Sequence, residues 1–275
     1  MHHGKFGKNM QIGITGSSGN LGSQLLSKIN SMENHEAFPI VASKFDSKES
    51  RLENFDVIIH SATCYGRNGE NFSEIISGNL VTPLKILESI KSGIFINIDT
   101  VLQDDVSKYA FSKGCFRKAC KFLVDQGSEI KIVNLKLHSF YGTQPSKSDI
   151  IYNLTNQFLQ NIAEINLTEC RQKKDFIFIE DVISGITSIL QNLSSIPNGF
   201  NEFEIGTGRA LPMKEIVLKI KELTDSSSQI NFGAIPLRRN EPMNLCADIT
   251  EMKKLGWYPK ISIEDGIANI IANIK

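Results

Sequence analysis

Two rhythms of apolar residues alternate along the first half of the chain. Residues 10–14 form a short apolar-rich run that feeds into glycines at 16, 19 and 22. Leu21, Leu25, Leu26 and Ile29 then recur at helical spacing, which predicts a helix directly after the glycines. Residues 38–42 and 56–60 read as strands. Between 72 and 90 the helical period returns, carried by Ile75, Ile76, Leu80, Leu84, Ile86 and Leu87. A strand at 93–98, a helix at 106–124 and a strand at 130–137 complete the series. Short apolar runs between polar turns suit parallel strands covered on both faces. Strand alternating with helix predicts an α/β fold built on a doubly wound parallel sheet.

After Tyr141 and Gly142 the rhythm loosens. Residues 143–149 are a polar loop containing Pro145. Helices are expected near 150–160, 182–190, 213–223 and 263–274, with short strands at 176–179 and 203–205. No repeat, low-complexity tract or long linker interrupts the text. The expected division is a first domain over residues 1–142 and a smaller lobe over 143–275, with about 175–192 packing back on the first.

Composition narrows the function classes. Thirty basic and 30 acidic residues cancel, so no net field gathers nucleic acid or an anionic membrane. No apolar run approaches the ~20 residues needed to span a bilayer, and the first residues lack a signal peptide's apolar centre. Five cysteines without CxxC or Cys/His ligand spacing argue against a disulfide scaffold and a structural zinc. The expectation is a soluble, cytoplasmic, reduced protein that binds no metal, nucleic acid or membrane.

Candidate chemistry begins at the glycines. Gly16, Ser17, Ser18, Gly19, Asn20, Leu21 and Gly22 follow a strand and open a helix. Glycine there permits a tight turn and close approach of backbone to a pyrophosphate. The helix end adds free N–H groups and a positive dipole. A plain glycine-rich turn is the alternative, but the position in the alternation favours dinucleotide binding. Gly16, Ser18, Gly19, Asn20, Leu21 and Gly22 are the expected contacts. An acid closing the second strand would select NAD. Here Ser43 and Lys44 stand there, with no carboxylate before Asp46, so NADP is preferred and NAD is the alternative.

Tyr109 and Lys113 are four apart and share a helical face. A phenol near pKa 10 is a poor acid or base until a cation favours its phenolate. Lys113 supplies that charge and reaches the cofactor ribose, while Thr100, at the exit of the preceding strand, donates to a substrate oxygen. An ordinary surface Tyr and Lys would be the bland reading; their place behind the glycine loop favours catalysis.

These residues, with further motifs, resemble the extended short-chain dehydrogenase/reductases of the nucleotide-sugar epimerase/dehydratase family over nearly the whole chain. Asp56-Val-Ile-Ile-His60-Ser61-Ala62 resembles DVVIHLAA, and Asn79 with Thr82 and Leu87 resembles NxxGTxxLL. Leu135-Lys136-Leu137 with Tyr141-Gly142 resembles LRLxxxYGP, and Lys174-Asp-Phe-Ile-Phe-Ile-Glu-Asp181-Val182 resembles RDFIYVDDV. Phe203-Glu-Ile-Gly-Thr-Gly208 resembles NVGTG, and Arg238, Glu241 and Asp248 fall in an RxxEP…AD stretch ahead of Leu255-Gly-Trp-Tyr-Pro259. Within the family the wording is most similar to 4-ketoreductases of the CDP-abequose and CDP-paratose synthase type. The resemblance implies a Rossmann-like domain with a substrate-binding lobe, and a homodimer. It adds Ser61, Ala62, Thr63, Asn79 and His138 to the cofactor site. It also implies a nucleoside-diphosphate sugar contacted by Thr100, Tyr141, Arg171, Arg238 and Glu241.

Departures from the family pattern matter. Only nine positions separate Thr100 from Tyr109, where the family usually has a longer loop that touches the sugar. Lys136 and Lys174 replace arginine, losing bidentate geometry while keeping charge. His60 and His138 lie at strand ends and read as buried or cofactor-facing rather than as proton carriers. Val101 and Leu102 follow Thr100 where a 4,6-dehydratase carries an Asp-Glu pair, so dehydration is not expected. The expected reaction is NADPH-dependent reduction of a 4-keto deoxysugar nucleotide serving surface polysaccharide. The alternatives are an NAD-dependent 4-epimerase and a non-catalytic NAD(P)-sensing protein.

Overall fold

The computed structural model describes residues 9–42, 52–90, 93–144 and 149–275. Its strands are β1 (Met10–Thr15), β2 (His35–Ile40), β3 (Val57–His60), β4 (Ile94–Thr100), β5 (Lys131–Leu137), β6 (Ser139–Tyr141) and β7 (Glu164–Leu167). They continue as β8 (Lys173–Lys174), β9 (Phe176–Phe178), β10 (Phe200–Ile205), β11 (Leu211–Pro212), β12 (Gln229–Phe232) and β13 (Asn244–Leu245). The helices are α1 (Asn20–Asn30), α2 (Phe72–Ile76), α3 (Thr82–Glu88), α4 (Lys108–Asp125) and α5 (Ile150–Leu159). Then come α6 (Ile179–Gln191), α7 (Met213–Thr224), α8 (Thr250–Lys254) and α9 (Ile263–Ile274).

Six strands form the main sheet in the order β10-β5-β4-β3-β1-β2. The pairs of β1 with β2, β1 with β3 and β3 with β4 are parallel. The reversal of order beside β1 is that of a doubly wound α/β sheet, as expected, with phosphate chemistry placed beyond the strands' carboxyl ends. The second strand lies at His35–Ile40, earlier than the apolar run at 38–42 implies, because Met10 pairs with His35 and Thr15 with Ile40. As an edge strand it accepts polar His35 and Glu36, and Pro39, which the middle of a sheet would not.

The chain divides into two compact units. One comprises the described residues through Leu135 together with Asn192–Phe203; the other comprises Lys136–Gln191 and Glu204–Lys275. This differs from a division at 142: residues 192–203 return to the first unit, while 175–191 stay in the second. The first unit's core gathers Ile58, Ile86, Leu87, Phe95, Phe116 and Ile132. The second packs Tyr141, Ile151, Phe158, Phe178, Ile216 and Ile267. Two buried carboxylates order the second unit's loops. Asp175 accepts from Thr207 N, Thr207 Oγ1, Gly208 N and Ala247 N, and Asp181 accepts from Lys260 N and Ile261 N. Among the described residues, no helix is long and apolar enough to cross a membrane, and no group of three His, Cys, Asp or Glu could hold a metal.

Candidate functional site

The loop after β1 is shaped by backbone that side chains would obstruct. Gly16 sits at φ +69°, where a Cβ would lie 2.6 Å from Ala62 N. A Cβ on Gly22 would collide with the Gly16 carbonyl oxygen. Gly19 N donates to that same carbonyl at 2.9 Å and closes the turn. α1 then starts with Gly19 as its cap, without a side-chain cap bond and without an acid in its first turn. Ser18 and Gly19 are exposed, Leu21 is buried beneath the loop, and the Asn20 side chain accepts from Gln24 at 2.6 Å. Ser61 and Ala62 tie the end of β3 to β1: Ser61 Oγ donates to Thr15 O and Ala62 N donates to Thr15 Oγ1. Thr63 follows, half-buried. A cradle with no room for Cβ atoms, at an uncapped helix start, fits a dinucleotide's diphosphate. Ser43, Lys44 and Asp46, which bear on the choice of nucleotide, lie outside the described residues.

Thr100 ends β4 at 7% exposure, and Ser107 begins α4 by accepting from Ala110 N at 3.1 Å. The short connection therefore delivers Tyr109 and Lys113 to the exit of β4. Tyr109 is half-buried, and the Thr100 side chain is among the groups that act on its phenol. Lys113 is 1% exposed and donates through Nζ to Ile98 O at 2.7 Å. Burial pushes the Tyr109 phenol above its ordinary value of 10, and Tyr65 and Asp99 add to this; Thr100 and Arg67 oppose it. Burial pulls the Lys113 ammonium down, and the Asp99 carboxylate counters that pull. A phenol so placed keeps its proton until negative charge develops beside it, which suits a general acid.

Asn79 lies in a π-helical turn, Ser77–Val81, that interrupts the helix expected over 72–90. The widened turn directs its fully buried carboxamide at backbone: it accepts from Cys64 N and donates to Cys64 O, both at 2.8 Å. It also donates to Ser112 Oγ at 2.9 Å, joining the loop after β3 to α4 beside Lys113. His60 is fully buried with Nδ1 2.8 Å from Thr15 Oγ1. Burial, and then the charge of Lys113, lower its pKa from 6.5 to about 3. It is a neutral histidine at neutral pH, not a proton carrier.

The remaining expected residues belong to the second unit. His138 is buried, with Nε2 3.0 Å from Glu204 Oε2. Tyr141, expected at the substrate, is 1% exposed and packs edge-on against Phe176 and Phe178. Among the described residues its buried hydroxyl has no hydrogen-bond partner, and its ring takes the position of a core aromatic. Glu241 joins Lys174, at 2.6 Å, to Arg238. Burial would raise the Glu241 carboxyl, but those two cations outweigh it and hold it low. Arg171 is exposed, pairs with Glu169 at 3.0 Å, and lines a cavity of about 340 Å³ with Gln172, Ile235, Leu237 and Met243.

Two groups escaped the sequence reading. Asp99, Arg117 and Asn134 form a buried cluster behind Lys113, signalled only by Asp99 preceding Thr100 and by Arg117 standing one helical turn after Lys113. The Tyr65 ring lies 5.0 Å from the Tyr109 ring, with the Arg67 guanidinium 4.5 Å from the Tyr65 centroid. No spacing rule brings residues 65 and 67 to residue 109.

The NAD dependent epimerase/dehydratase family matches residues 12–206. A CDP-abequose synthase of Salmonella muenchen is 33% identical over 232 residues, covering 80% of this chain and 77% of that protein. A dTDP-4-dehydro-6-deoxyglucose reductase of Escherichia coli is 24% identical, over 67% of this chain and 57% of its own. The solved UDP-glucuronic acid 4-epimerase of Bacillus cereus, in complex with UDP-glucuronic acid and NAD, superposes with a TM-score of 0.80. It is 22% identical and covers 96% of this chain and 99% of its own, a likeness of fold.

Proposed function

The chain belongs to the NAD dependent epimerase/dehydratase family, and from that premise we propose that it reduces the 4-keto group of a nucleoside-diphosphate deoxysugar with NADPH. The substrate is a CDP- or dTDP-linked 4-keto-6-deoxy or 3,6-dideoxy hexose, and its product serves surface polysaccharide. One observation carries the reading. Thr100 closes β4, and Tyr109 and Lys113 stand one turn apart on α4 with Lys113 Nζ bonded back to Ile98 O of β4, while Val101 and Leu102 take the place of a dehydratase's acid pair. The abequose synthase relative, at 33% identity, supports the substrate class.

When bound along residues 16–22, the nicotinamide dinucleotide supplies the hydride. The chain's own part is proton and charge management. Thr100 Oγ1 donates to the ketone oxygen and fixes its direction. The Tyr109 phenol passes its proton to that oxygen as alkoxide character develops. Lys113 uses one N–H on Ile98 O, which leaves two donors to offset the phenolate and hold the ribose. Arg238, oriented by Glu241, contacts the substrate diphosphate, with Arg171 as a second cation. Exposed Phe72, Phe111 and Phe122 on α2 and α4 support a homodimer formed through these helices.

The test is absorbance at 340 nm with a CDP- or dTDP-4-keto sugar generated in place by a separate dehydratase. Loss of one NADPH per sugar is expected. Interconversion of two saturated sugars without net loss would overturn reduction in favour of epimerisation.

A further inference from the structure

Behind Lys113 lies a charged cluster that the proposed reaction does not use directly. The Asp99 side chain is completely buried. Its Oδ2 accepts from Arg117 Nη1 at 2.6 Å and from Asn134 Nδ2 at 3.0 Å, and its Oδ1 accepts from Thr100 N at 2.8 Å. Asn134 is itself held by Asn97 Nδ2 at 2.7 Å. Arg117 also reaches Asp104 at 3.2 Å, and Asp104 pairs with Lys118 at 2.6 Å. A carboxylate this far from water persists only where paired and hydrogen-bonded. Its three hydrogen bonds go to groups that frame the site.

We propose that Asp99 and Arg117 are positioning residues that set the charge balance at Lys113, and so the pH range over which Tyr109 serves as the acid. The inference rests on the proposed ketoreduction for Tyr109's role; its geometric basis is the Asp99–Arg117 pair and the seat of Lys113 Nζ on Ile98 O, the carbonyl of the residue before Asp99. The groups facing Lys113 are Asp99 from β4, Arg117 and Cys120 from α4, and His60 from β3. Those facing Tyr109 are Thr100 and Asp99 from β4 and Tyr65 and Arg67 from the loop after β3. Asp99 is the carboxylate common to both sets. It favours the proton on Lys113 and on Tyr109 alike, whereas Arg117 disfavours the proton on Lys113. Thr100 is oriented through the same carboxylate by its backbone N–H.

The two charges predict opposite effects. Asp99→Asn lets Lys113 and Tyr109 lose their protons more readily, so the alkaline limb of kcat/KM moves to lower pH by on the order of one unit. Arg117→Gln leaves the Asp99 field unopposed, so the limb moves to higher pH. The double variant returns close to wild type, and Arg117→Lys, which keeps the charge, stays there. Shifts in one direction for both single variants, or none, would overturn the proposal, since mere loss of packing lowers rates without moving limbs apart. If Asp99→Asn yields no folded protein, the direction given by Arg117→Gln decides. A second arm needs no substrate: proteins labelled at lysine 13Cε are titrated by NMR, with Lys113 assigned by Lys113→Met. Its titration should fall in Asp99→Asn and rise in Arg117→Gln, and an unmoved midpoint refutes the charge balance. Absence of wild-type turnover with 4-keto sugars would instead refute the ketoreductase reading and leave the NMR result to decide this one.

Discussion

Replacing His60 with asparagine should remove an acid sensitivity that the fold builds into β3. The imidazole is fully buried, its centroid lies 6.1 Å from those of the Phe95 and Phe116 rings, and Lys113 stands near enough to repel a second cation. In the unfolded chain this histidine titrates at 6.5; in the fold it does so at about 3. Between those values the unfolded state binds a proton that the folded state refuses, so stability is full above pH 6.5 and falls as the pH drops. The slope is about 1.4 kcal/mol per pH unit, which accumulates to roughly 2.5 kcal/mol by pH 4.5. That is a large part of the ~5–15 kcal/mol that holds a typical domain folded. Asparagine keeps a polar atom near Thr15 Oγ1 but cannot titrate. It costs packing at every pH, yet its stability should fall less steeply with acid. Urea unfolding followed by circular dichroism at pH 7.5, 6.0 and 4.5 measures both curves. The wild type should lose about 2.5 kcal/mol more than the variant between the extremes. Parallel curves, or a His60 C2 proton titrating near 6.5 by NMR, would refute the reasoning.

Tyr109→Phe should lower kcat by ~10²–10⁴-fold with cofactor affinity largely kept, whereas Lys113→Ala should damage both; stopped-assay kinetics and NADPH fluorescence titration separate the two. Gly22→Ala, whose new methyl meets the Gly16 carbonyl, should weaken dinucleotide binding at least tenfold, read by the same titration; unchanged affinity would place the diphosphate elsewhere. NADPH should bind more tightly than NADH, and Lys44→Ala should cost about 1.5–3 kcal/mol of NADPH affinity, as for a hydrogen bond to a charged group; equal affinities would promote Asp46 and NAD. Asp175→Ala strands four donors in the second unit and should destabilise it by about 3–5 kcal/mol, measurable as a shift in the urea midpoint followed by Trp257 fluorescence.

Much of the site was legible because its chemistry is local. The glycines at 16, 19 and 22 act within one turn, between a strand and the helix it enters. Tyr109 and Lys113 are joined by one helix, and Thr100 lies a short connection away. Apolar periods located α5, α7 and α9 nearly to the residue, because each helix declares its buried face in its own spacing. The π turn at Ser77–Val81 was not legible: Asn79 sits where the helical period expects no interruption, and its partners Cys64 and Ser112 lie on other elements.

The sequence alone determined the alternation of strands and helices over the first half of the chain, the glycine loop and the tyrosine–lysine pair, since each depends on residues within a few positions of one another. Tertiary structure decided the register of β2, which follows β1 rather than its own apolar run. It also turned Tyr141 into a core aromatic, by closing Phe176 and Phe178 around it. Above all it assembled Asp99 with Arg117 and Asn134, residues 18 and 35 positions away on different elements. A buried charge requires partners on several sides, and only packing of a strand against its neighbouring strand and helix can supply them at once.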